Sequence, residues 1–198
     1  MEPQLLFRLI NRLSMLMALI AGAAVLILSV LIVFDIVSRS LFSFSVQGTD
    51  ELGGYTLALI GSLGLTYTLL QRGHPRIDIA LRHLKSGFRR ILHVVAYGAL
   101  CLFAIFMAQH AIGEFSETLA FGTVTNTPLQ TPLWVPQVFW VAGTVVFALV
   151  TLVLTIHGIF LLCRTPEAID RFYGPITVEE EVQEYLTDDP SHTLKTEA

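Results

Sequence analysis

No aspartate, glutamate, lysine, arginine or histidine falls within about one helical turn of Ala24, Gly61, Leu102 or Ala148. These are the centres of four long apolar runs. Ion-coupled transporters and proton relays need ionisable groups at membrane depth, where such groups are rare and functional. Nor is there a pair of interrupted helices that would build a binding site at the midplane. A chain with its own substrate path is therefore not expected, and a small four-helix exporter, which needs an acid inside its first span, is excluded by Ser14–Phe34. Cysteine is also scarce. There are two, Cys101 and Cys163, at different expected depths, so no disulfide is expected and a disulfide-stapled cell-surface tetraspan is set aside. Phosphate-cradling loops and internal repeats are missing too.

Charge is sparse overall, at 14%, against 54% hydrophobic residues. That balance points away from a soluble domain and toward an all-α integral membrane protein. Four spans are expected at about 13–37, 52–71, 91–113 and 133–163. Residues 3–12 place Leu5, Leu6 and Leu9 on one face, with Arg8 and Arg12 on the other, as an interfacial helix entering the first span. The apolar run then continues to Phe34 without a break, which favours an uncleaved span over a signal peptide.

Cations are missing from one side. With both termini inside, eleven of the 12 lysines and arginines lie inside and only Arg39 lies outside. The expected topology is N-in, C-in. The net charge of −4 comes from the tail, residues 164–198, expected to be an acidic cytoplasmic segment. The basic residues flank apolar spans, so membrane lipids account for them and no nucleic acid is expected as a partner.

What is present centres on 50–90. Asp50 and Glu51 open the second span and favour its positive dipole end, where Thr49 or Asp50 is expected to act as cap. Leu52–Gln71 is uncharged. Residues of about 76–90 follow as a basic amphipathic helix, with Ile77, Leu81, Leu84 and Phe88 on its apolar face. Gly54, Ala58 and Gly61 lie near one stripe of the second span, open to close packing either within the subunit or on a partner. Asp35 and Arg39 stand at i,i+4 and can pair. Gln109, His110, Glu114 and Glu117 share a face near the outer end of the third span, read as a solvated extension in preference to a metal site. His93 and His157 offer a competing reading, a haem-b membrane anchor of a respiratory enzyme.

The order of parts resembles the small membrane subunit of tripartite ATP-independent periplasmic (TRAP) transporters, the DctQ-like family. The likeness is carried by Arg39-Ser40-Leu41-Phe42, then Asp50-Glu51-Leu52, then Gly61 and Gly64. Arg72-Gly73-His74-Pro75-Arg76-Ile77-Asp78 follow, and a Pro/Trp-rich entry to the fourth span completes it. It covers about residues 10–163. The family often has Trp where this chain has Gly48, and an aliphatic residue where it has Pro75. The resemblance implies a non-enzymatic permease subunit of a bacterial inner membrane, multi-pass and without its own cofactor. It would brace a large DctM-like elevator subunit holding substrate and sodium ions, to which a periplasmic binding protein delivers an organic acid or related solute. Partner contacts are then expected from Arg39, Asp50, Glu51, Gly54, Gly61, Gly64, Gly73, His74, Arg76, Asp78, Leu81, Leu84 and Phe88.

Overall fold

The computed structural model describes residues 3–71, 86–127, 129–166 and 169. Among them the chain is helical, with four elements: α1 (Pro3–Phe42), α2 (Thr49–Leu70), α3 (Ser86–Phe121) and α4 (Trp134–Arg164). Each holds a segment long and apolar enough to cross a membrane. At ~1.5 Å per residue α2 is about 33 Å long, close to the ~30 Å hydrocarbon core, whereas α1 reaches about 60 Å. The interfacial segment expected at 3–12 is continuous with the first span. The third helix starts before the expected 91 and runs past the expected 113, so Glu114 and Glu117 ride on a helical extension where both are exposed. Of the amphipathic segment 76–90, residues 76–85 lie outside the described residues, and 86–90 form the first turn of α3.

The principal contacts run from α1 to α2, from α2 to α4 and from α4 to α3. The helices therefore form a row with α2 and α4 in the middle. Burial follows from that order. In α1 the shielded positions include Ile10, Ser14, Met17, Ala21, Ala24, Leu28, Leu31, Asp35 and Ser38, with Ala18 beside them. They alternate in steps of three and four, a single stripe that meets a single neighbour in left-handed packing. α3 does the same through His93, Tyr97, Cys101, Ala104, Ala108, Ala111 and Thr118. Its alanines let α4 approach. α4 has two neighbours and buries a wider arc, including Gly143, Phe147, Thr151, Leu154 and Leu161.

Buried hydroxyls are satisfied mostly by their own helices. Thr56, Ser62, Thr144 and Thr151 each donate to the carbonyl four residues back, at 2.8–3.0 Å. Thr155 also reaches across to the Tyr97 carbonyl at 3.0 Å and ties α4 to α3. A close backbone approach lies at the centre of the row. A Cβ placed on Gly143 of α4 would stand 2.8 Å from the carbonyl carbon and Cβ of Ser62 on α2. This glycine is required by packing, and it is not one of those in the α2 stripe.

Candidate partner-binding surface at the outer rim

The α1–α2 and α3–α4 loops lie at the same end of the row, the end expected from the sequence to face outward. Two carboxylates organise it. Asp35, two turns from the end of α1, is 4% exposed and takes three partners. Arg39 Nη2 donates to its Oδ2 at 2.6 Å. The Ser45 hydroxyl and the Val46 amide donate to its Oδ1 at 3.1 and 2.7 Å. The Ser45 oxygen also accepts from Arg39 Nη2 at 3.0 Å. The chain can then leave α1 through Ser43, at φ 52, and return into α2 after only six loop residues, 43–48. A carboxylate that is buried must have such donors, since an unpaired one costs several kcal/mol.

Glu51 does the corresponding work for the second loop. Its side chain accepts hydrogen bonds from Thr125 Oγ1 at 2.8 Å, from Thr127 Oγ1 and from Tyr55 Oη. The loop itself is a small hairpin. Val124 bridges Pro132, Thr125 N–H donates to the Thr131 carbonyl at 3.0 Å, and Leu133 N–H donates to the Thr123 carbonyl at 3.1 Å. Its tip packs inward, because a Cβ on Gly48 would fall inside the Leu129 side chain. Gly48 also has φ 87, the left-handed region that glycine tolerates best. The glycine standing where the family often has tryptophan is thus explained in this chain by Leu129, which occupies that space.

Several expectations change here. Neither Thr49 nor Asp50 caps α2: Gly48 holds the cap position, and the Thr49 hydroxyl donates to the Val46 carbonyl at 3.0 Å. Arg39 and Glu51, both expected as contacts to a partner, each have hydrogen-bond partners inside the subunit. Asp50 is exposed. Gly54 and Gly61 lie with Leu57 and Thr68 on the exposed face of α2, Gly64 is half-buried beside them, and a Cβ on any of the three glycines would meet nothing within 4 Å. Phe88 is 56% exposed in the first turn of α3. Gly73, His74, Arg76, Asp78, Leu81 and Leu84 lie outside the described residues. The partners sequence reasoning missed are Ser45, the Val46 amide, Thr125, Thr127 and Leu129. A cation-free loop with threonines at alternate positions was the only signal for those of the second loop.

A family model for tripartite ATP-independent periplasmic transporters, DctQ component, matches residues 28–161. The chain belongs to the DctQ family. No curated protein and no solved structure matches it. The match spans all of α2 and α3, the C-terminal part of α1 and all but the last three residues of α4, so it contains both carboxylate clusters. A DctQ chain is a component of a membrane transporter, and the haem-anchor reading is not favoured. Among the described residues no group of three or more His, Cys, Asp or Glu side chains is placed to hold a metal ion. His93 is buried in the α3 stripe, and His110 leans on Phe106 with ring centroids 4.1 Å apart.

Proposed function

We propose that this chain is the small permease subunit of a TRAP transporter. It widens and braces a large elevator subunit that carries out sodium-coupled uptake of an organic acid or related solute. A periplasmic binding protein delivers that solute, and the subunit sits in a bacterial inner membrane with both termini inside. The observation that carries the reading is the family match over 28–161. The absence of ionisable groups near the four span centres supports a bracing part without a substrate path.

The exposed face of α2 is where we place the large subunit. Lipid-facing helix surfaces are well served by large aliphatic side chains, as on α1, where Leu26, Ile27 and Val30 are about 70% exposed. The α2 face carries one such residue, Leu57, but sets Gly54, Gly61, Gly64 and Thr68 around it, and these allow a second helix to approach closely. Gly61→Leu is expected to leave this chain inserted and folded, since nothing stands within 4 Å of that site. It should reduce co-purification with the large subunit by about tenfold, the equivalent of ~1.4 kcal/mol. Full recovery of the complex would move the contact to another face.

Topology has its own check. A single cysteine at Asn126, in a chain with Cys101 and Cys163 replaced, is expected to react with an impermeant thiol reagent applied from outside. A cysteine at Ser86 is expected to react only after the membrane is opened. Labelling of Ser86 in sealed cells would invert the orientation.

A further inference from the structure

We propose that the groove between the outer ends of α1 and α2 binds the headgroup of a zwitterionic phospholipid that carries a phosphate and a primary amine. A cavity of about 590 Å³ opens there. Sites for small molecules run from roughly 300 to 1,000 Å³, so the space suits a headgroup better than an isolated water.

The lining is graded by depth. α1 runs outward, so Ile32 and Ile36 precede Arg39. α2 runs inward, so Gly53 lies about a turn deeper than Asp50. The deeper part is therefore two isoleucines and a glycine, with Asp35 between the isoleucines and held by Arg39, Ser45 and the Val46 amide, and the rim carries Arg39, Gln47 and Asp50. Ile32 and Ile36 are 39% and 60% exposed, and a Cβ on Gly53 would meet nothing within 4 Å.

The rim charges are of opposite sign and do not bond each other. Arg39 commits Nη2 to Asp35 and Ser45, while its side chain stays 64% exposed. A guanidinium has five N–H donors, so three remain to hold a phosphate. Asp50 is exposed and supplies a carboxylate for an ammonium group. Arg39 is already paired with Asp35, so what the groove offers is the unshared carboxylate of Asp50 and the three uncommitted N–H donors of Arg39, and a headgroup with only one charge engages one of them. A headgroup with both charges satisfies both residues, and its glycerol and acyl end lies along the isoleucines.

The proposal rests on the helices crossing a membrane with the end of α1 at the interface, and not on the large subunit. It is therefore tested on the full-length chain alone, by native mass spectrometry of the detergent-solubilised protein titrated with defined lipids. Phosphatidylethanolamine is expected to be retained at least fivefold better than phosphatidylglycerol or phosphatidylcholine, whose headgroups lack the amine or its hydrogens. Asp50→Asn should bring the three to parity with the helical circular dichroism unchanged. Gly53→Leu should remove retention of all three. Equal retention by the unaltered chain, or a preference that survives Asp50→Asn, overturns the assignment. If Gly53→Leu spares lipid retention but lowers co-purification with the large subunit, the groove holds a protein side chain and the lipid assignment fails. In each case the permease-subunit reading is left standing.

Discussion

Gly143→Ile is expected to cost about 3 kcal/mol or more and to lower the melting temperature in detergent by ~6–12 °C. At this position α4 lies so close to α2 that a Cβ would stand 2.8 Å from Ser62, with a backbone carbon among the atoms it meets. A flexible side chain could swing aside, but a helix backbone cannot. The two helices would have to separate along the seam that joins the α1–α2 half to the α3–α4 half. Phe147, Thr151 and Leu154, buried on α4, would become more exposed. Gly61→Ala, one residue from Ser62 but on the open face, should leave the melting temperature unchanged. The pair of variants separates a packing requirement from a general intolerance of α2 and α4 to substitution. Unchanged melting in Gly143→Ile would mean that α2 and α4 do not touch here.

Glu51→Ala is expected to free the α3–α4 loop while leaving the helices in place. The carboxylate is the shared acceptor for Thr125, Thr127 and Tyr55, and none of these three donors is a cation. Hydrogen bonds to a charged acceptor contribute roughly 1.5–3 kcal/mol each, though three on one group do not add. Losing about 2 kcal/mol of local stability corresponds to a factor of roughly 30 in the open population. Amide hydrogen exchange at Thr125, Gln130 and Leu133, whose N–H groups are bonded within the hairpin, should quicken by about that factor. Exchange in the middle of α3 should not change. Glu51→Gln is expected to fall between, because the amide keeps one acceptor oxygen but loses the charge. Unaltered loop exchange in Glu51→Ala would show that Leu129 packed over Gly48 holds the loop by itself.

The amino-acid sequence by itself determined that the chain is helical with four apolar segments fit to cross a membrane, because twenty or so uncharged residues in a row leave little choice. It also carried the family, since the order Arg39, Asp50-Glu51, Gly61 and Gly64 is a linear property. The Asp35–Arg39 pair was readable too, because four residues along a helix is a fixed distance. Helix ends were less legible. Polar residues such as Glu114 and Glu117 break an apolar run without breaking a helix, so α3 extends to Phe121.

What only the tertiary structure decided is which residues meet across the chain. Glu51 reaches Thr125 and Thr127 over a separation of more than 70 residues, and no local spacing encodes that. The row order α1, α2, α4, α3 assigned the glycines their separate parts, leaving Gly54 and Gly61 open while pressing Gly143 onto Ser62. Small residues in an apolar segment look alike in a sequence because each permits close approach. Whether a neighbour stands there depends on how the helices are arranged.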